Sequence, residues 1–346
     1  MRTLSEITDP GFIKNNNIGA LDKWLISLIN DERDLPFIYL CLQIMFFVIP
    51  LGIILFTPLL HGWMWTTAAW IYVLSVLLYF MGPFTLMLHN TSHNALFRRK
   101  NDWANSLIPW VIGPFFGQSP ETYFSHHVGM HHAENNLKDD CSSTMGYQRD
   151  SLRCFLQYYL HFFFIGLIEL AGYFQRKKRK KLMRKVIRGE LSFFVLCILL
   201  SLFNWQATLV VFVVPFILTR FAMMAGNWGQ HAFIDVNQSG NSYLNSITCI
   251  NSGYNRKCFN DGYHIGHHIS PKMHWTEMPA DFIANKAAYG QQRSIVFEGI
   301  DFFFIWLLLM LKQYHVLAKH MVNVGYTFNS DEELIAFLKS RTQKIV

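Results

Sequence analysis

The sequence predicts an all-α, multi-pass membrane protein with four transmembrane helices in two hairpins and a cytoplasmic helical cap. Three observations predict it. The chain is 51% hydrophobic and 16% aromatic but only 15% charged, a balance that suits a bilayer better than water. No Asp, Glu, Lys or Arg occurs from Leu35 to Phe97, nor from Leu191 to Thr219. Nine of the 15 histidines fall into four short clusters at or beyond the ends of those uncharged stretches.

The first uncharged stretch has room for two spans of about 20 residues, expected at about 37–59 and 66–88 with His61-Gly62-Trp63 between them. Trp63, Trp65 and Trp70 would sit near the interface. The second stretch is 29 residues long, more than one ordinary span and short for two. Asn204-Trp205-Gln206 interrupts it, so two helices of a hairpin are expected at about 189–203 and 207–226. One long tilted helix is the rival, but it would leave the later histidines across the bilayer from the earlier ones. With four spans the two connecting turns carry no Lys or Arg while the long segments do. The positive-inside rule then puts both termini in the cytoplasm.

Other segments read as peripheral. Residues 155–174 are apolar but contain His161, Glu169 and several tyrosines, which predicts an interfacial helix. Residues 106–117, broken by Pro109, Gly113, Pro114 and Gly117, predict a re-entrant or surface loop. Residues 302–312 form a short apolar block that either lies on the bilayer or covers the catalytic region. Ser330-Asp331-Glu332-Glu333 has the capping-box pattern and opens an amphipathic helix. The expected organisation is a cytoplasmic segment 1–34, a catalytic membrane domain 35–280 and a cytoplasmic helical segment 281–346.

The formal net charge of +7 comes from basic residues at Arg98-Arg99-Lys100 and between Arg176 and Arg188, which flank apolar segments. Membrane lipids, not nucleic acid, are the partner this predicts. Cys41, Cys141, Cys154, Cys197, Cys249 and Cys258 contain no CxxC pair, which argues against disulfides and against cysteine-bound zinc.

The histidine clusters carry the chemistry. His89 and His93 lie at i and i+4 where the second span leaves the bilayer, so a continuing helix puts both on one face. His127 and His131 have the same spacing with His132 beside them, leaving His126 as a spare. His264, His267 and His268 have i, i+3, i+4 spacing, which crowds three imidazoles along one side of a helix; His274 falls outside that pattern. Asn227 and His231 share a face at the exit of the last span. Nine imidazoles are too many for one catalytic zinc, which usually takes three protein ligands, and HExxH is absent. Two metals with four or five imidazoles each would use them all. Carboxylate di-iron bundles rely on Glu-x-x-His, which the chain lacks. A histidine-rich membrane di-iron centre remains.

These residues resemble the histidine boxes of the membrane-bound fatty-acid desaturases, over roughly residues 35–280. His89 and His93 fit the first box, His127, His131 and His132 the second in its longer form, and His264, His267 and His268 the third. His231 resembles the additional ligand that follows the last span. Asn227 resembles an asparagine that contacts an iron through water in acyl-CoA desaturases. The resemblance implies two iron ions as cofactor, O2 as co-substrate and a fatty acyl substrate, with no catalytic residues beyond the metal ligands. No HPGG-type haem-binding segment is present, so electrons are expected from a separate protein of the cytochrome b5 or ferredoxin type. The implied location is the endoplasmic reticulum or the bacterial inner membrane.

The implied reaction is removal of two hydrogens from adjacent methylenes, with regioselectivity set by a narrow apolar tunnel. Glu134, Asp139, Asp140, Asp235 and Asp261 lie near the boxes and could orient imidazoles. Hydroxylation of a lipid, sphingoid base, sterol or carotenoid uses the same platform and is not separated from desaturation by box pattern. A metal transporter would place polar ligands within spans near the midplane, whereas these lie at span ends.

Overall fold

The computed structural model describes residues 2–14 and 17–345, and they are mostly helical. Four helical segments are long and apolar enough to cross a membrane: Glu32–Ile54, Gly62–His93, Leu152–Arg176 and Lys180–Gln230. The chain divides into two compact units, one of residues 13–129 and 174–221, the other of residues 1–12, 130–173 and 222–346.

The first unit holds two helical hairpins. Glu32–Ile54 (α1) and Gly62–His93 (α2) lie side by side, since Cys41 Sγ approaches Met87 Sδ at 3.7 Å. α1 starts and stops five residues earlier than the sequence suggests. Pro58 accounts for the early stop, because a proline disfavours helical backbone at the residue before it. The helix of Lys180–Thr208 loses helical geometry at Asn204 (φ −153°, ψ 95°). There the chain reverses: Glu190 Oε1 meets Arg220 Nη2 at 2.9 Å, and the rings of Phe193 and Phe216 stack at 5.2 Å. A straight helix would hold residues 190 and 220 about 45 Å apart. The interruption at Asn204-Trp205-Gln206 is therefore a hairpin turn, with Val214–Gln230 leading away from it.

Residues 106–117 fold as short helical turns inside this unit. Ile108, Ile112 and Phe116 are buried, and Phe116 stacks on Phe84 at 4.2 Å. Two glycines permit backbone contacts that no other residue could. A Cβ at Gly189 would stand 1.6 Å from the Pro120 carbonyl oxygen, and one at Gly117, whose φ is +68°, 2.2 Å from Phe216 Cα.

The second unit contains most of the helix Leu152–Arg176. This helix meets the length and hydropathy of a span, although its polar groups suggested an interfacial one. Its His161 Nε2 and Glu169 Oε2 pair at 2.9 Å. A two-stranded parallel sheet joins Thr248–Ile250 to Val296–Glu298. Phe302–Met310 is a helix with Phe302, Ile305 and Leu309 in the core, so one side of that apolar block faces inward while Phe303 and Phe304 stay exposed. Ser330 caps the helix Asp331–Ser340 by accepting from the Glu333 amide, and Glu333 reaches back to the amide of Asn329.

Candidate metal centre

Within the second unit, His131, His231, His264 and His268 offer one nitrogen each, all within 4.8 Å of one another. The facing atoms are Nε2: His264 to His231 at 3.2 Å and His268 to His264 at 3.0 Å. Two ligands each about 2.0–2.1 Å from one metal at ordinary coordination angles stand about 2.9–3.4 Å apart. The separations therefore fit a shared metal. His131 and His231 are fixed from behind, because His131 Nδ1 meets Asp140 Oδ2 at 2.7 Å and His231 Nδ1 meets the Asn245 carbonyl at 2.8 Å. Each ring then donates from Nδ1 and keeps its Nε2 lone pair for the centre. Among the described residues, this group includes no carboxylate.

Burial favours the same protonation state. His231 is fully buried, and burial, followed by the nearby His131, holds it down at about 3. Burial and the neighbouring His264 and His231 push His268 well below its ordinary value. Neutral imidazole is the form that ligates.

In the first unit, His89, His93 and His127 converge separately. Their ring centroids are 5.4 Å apart for His89 and His93 and 4.4 Å for His89 and His127, and His93 and His127 face through Nε2 at 3.1 Å. Tyr123 stacks on His127 at 5.4 Å. In the second unit His132 and His267 form a pair, Nε2 to Nε2 at 2.9 Å.

The second and third boxes thus divide their histidines. Residues 127–131 form a π-helical turn, whose i to i+5 bonding widens the backbone so that positions four apart no longer stack as in an α-helix. His127 joins His89 and His93, whereas His131 joins His231, His264 and His268. In the helix His264–Ile269, His264 and His268 face one centre while His267 turns to His132, so the three do not line one side.

Among the carboxylates expected to orient imidazoles, Asp140 meets His131. It also accepts from the amides of Asn136 and Ser142 and from the Ser142 hydroxyl. Glu134 takes the Tyr173 hydroxyl, Asp235 pairs with Arg341, and Asp261 accepts from Gln230 and Tyr254. Asn227 donates to the Ser142 carbonyl at 3.0 Å and to the Tyr158 hydroxyl at 2.7 Å. His274 bonds Thr276 instead of a metal group.

Sequence reasoning missed Arg149, which is fully buried. Its guanidinium donates to the carbonyls of Ala232, Thr144, Met145, Tyr147, Arg341 and Gln343. It thereby ties the residue after His231 to two other segments. Burial lowers it to about 10. An isolated arginine in a loop gives no sequence signal for such a role.

A fatty acid desaturase family profile matches residues 65–299, more than half of the chain. The chain belongs to the fatty acid desaturase family. No curated protein and no solved structure showed a significant match to it. The matched stretch contains every histidine of the groups described above. Family membership makes this an oxidoreductase of the desaturase or hydroxylase type, and its apolar helices make it a membrane protein. The family and the histidine groups together point to a site for two metals.

Proposed function

We propose that this family member is a di-iron, O2-dependent desaturase that introduces a double bond into a fatty acyl chain carried by coenzyme A or a lipid. The observation that carries the reading is the four-imidazole group, with Nε2 separations of 3.0–3.2 Å and two rings tautomer-locked from behind. His131, His231, His264 and His268 would hold one iron. The family resemblance assigns the remaining box histidines, His89, His93, His127, His132 and His267, to the second iron. Asn227 would reach a metal only through water, its amide nitrogen being engaged by Ser142 and Tyr158.

Imidazole suits iron among several metals; iron is preferred because the family is oxidative and the ligand set is all neutral nitrogen. Bound iron would supply the reductive activation of O2 that removal of hydrogen from an unactivated methylene needs. The chain's own residues bind and orient. Asp140 and the Asn245 carbonyl fix two ligand rings, and burial keeps water from the four-histidine group. Electrons would come from a separate cytochrome b5 or ferredoxin-type protein, and both termini would face the cytoplasm, in the endoplasmic reticulum or a bacterial inner membrane.

The test is iron content of the purified protein beside that of a His264→Ala, His268→Ala variant, followed by product mass after supplying a saturated acyl chain and reductant. About two irons per chain, fewer in the variant, and a product lighter by two hydrogens are expected. Zinc or no stoichiometric metal would sink the reading. A product heavier by one oxygen would make the protein a hydroxylase.

A further inference from the structure

The second unit contains a run of oxidisable rings that begins at the four-histidine group and ends near the surface. His131 is bonded to Asp140, Asp140 accepts from the Ser142 amide, and the Ser142 carbonyl accepts the Tyr158 hydroxyl at 3.1 Å. The Tyr158 ring lies 5.0 Å from that of Trp228 and 5.5 Å from that of Tyr147, and Trp228 lies 5.9 Å from Tyr147, so the three rings touch one another. Tyr158 and Trp228 are buried, 3% and 0% exposed, whereas Tyr147 is half-buried. Trp228 is further held by its indole N–H on the Arg149 carbonyl at 2.9 Å. A core built only for packing would not need its oxidisable rings to lead outward from a ligand.

Resting on the proposed oxidative function, we infer that Tyr158, Trp228 and Tyr147 form a relay that discharges oxidising equivalents stranded at the metal site when no acyl chain is bound. Tyrosine and tryptophan side chains surrender an electron only to strong oxidants and do not accept one from a biological donor, so the run conducts oxidising equivalents outward and does not serve the incoming electrons. One electron leaves the Tyr147 phenol and its proton passes to water. The electron passes through Tyr158, directly or by way of Trp228, and with a proton from water reduces the O2-derived oxidant at the metal site by one equivalent. A soluble thiol or ascorbate-class reductant then returns an electron to the Tyr147 phenoxyl radical, and water returns the proton.

The test uses the full chain, loaded with iron, chemically reduced and exposed to O2 without substrate. It is read by freeze-quench electron paramagnetic resonance and by mass-spectrometric mapping of oxidised residues. An aromatic protein radical is expected, with its spectrum narrowed by ring-deuterated tyrosine. Tyr158→Phe, which keeps the ring, should lose the Tyr147 radical and move oxidation onto the histidine ligands in protein that still holds iron, whereas Trp228→Phe leaves the direct Tyr158–Tyr147 contact and should lower the radical yield without abolishing it. Tyr147→Phe should lose the tyrosyl signal alone. The same radical yield in Tyr158→Phe would overturn the relay, as would no protein radical in protein that holds iron and forms product. Absence of iron would overturn the functional reading and the relay together.

Discussion

Replacing Asp140 by asparagine probes the metal centre with the smallest change of shape. Asp140 accepts four hydrogen bonds: Oδ2 from His131 Nδ1 and the Asn136 amide, Oδ1 from the Ser142 amide and hydroxyl. Asparagine retains one accepting oxygen. If that oxygen stays with Ser142, the new NH2 faces two donors, and His131 relieves one clash only by moving its proton to Nε2, which blocks the lone pair aimed at the metal. Losing such an orienting partner costs roughly 10- to 100-fold in metal affinity, about 1.4–2.8 kcal/mol. The orphaned Asn136 amide adds about 1–3 kcal/mol against folding. Fe(II) affinity measured by chelator competition should fall accordingly, with His131→Ala as the lower bound. Unchanged affinity in folded Asp140→Asn would show that Asp140 does not set the His131 tautomer.

Arg149→Met should remove most of the fold's stability, because six carbonyls lose a charged donor and such bonds contribute about 1.5–3 kcal/mol each against a total of about 5–15 kcal/mol. A thermal midpoint within a few degrees of the parent would refute it. Gly189→Ala should destabilise by about 1–3 kcal/mol, since its Cβ would meet the Pro120 carbonyl, whereas Gly253→Ala, with nothing within 4 Å, should not share that clash; equal midpoints for the two would exclude the close approach. The metal-free protein should weaken in acid. His231 is held at about 3 against 6.5, so the unfolded chain binds a proton that the folded one refuses. Stability is complete above pH 6.5 and is lost as pH falls toward 3, about 2 kcal/mol from this group by pH 5. Denaturation showing no loss between pH 7 and 5 would contradict the buried, neutral His231.

The membrane character and the histidines were legible because both are written in composition and spacing. The absence of charge from Leu191 to Thr219 and the polar break at Asn204 pointed to a hairpin, and the Glu190–Arg220 contact closes it. The division of the boxes was not legible. Whether residues 127–131 adopt an α or a π turn depends on packing that the local sequence does not encode, and that turn decides which group His127, His131 and His132 join. Asp140 was one of five acidic candidates, and only its three-dimensional distance to His131 separates it from Asp235, which pairs with Arg341. The helix Leu152–Arg176 has the length and hydropathy of a span, yet with the hairpin at Asn204 a crossing here would put His131 and His231 on opposite faces of the membrane, and they share one group.

The four-histidine group also predicts that metal and fold are coupled. His131 and His231 spend their Nδ1 protons on Asp140 and Asn245, so their Nε2 atoms are acceptors aimed at other ring nitrogens, with His231 3.2 Å from His264. Those lone pairs are gathered into one site only in the folded chain, so a cation that binds them stabilises the fold. Fe(II) at about 100 times its dissociation constant should therefore stabilise the protein by about 2.7 kcal/mol, read as a rise in the thermal midpoint under anaerobic conditions. The rise should shrink in His264→Ala, His268→Ala, which removes two of the four ligands and leaves the hydrogen bonds of His131 and His231 in place. A rise of the same size in that variant would place the stabilising metal elsewhere and remove the four-histidine group from the centre.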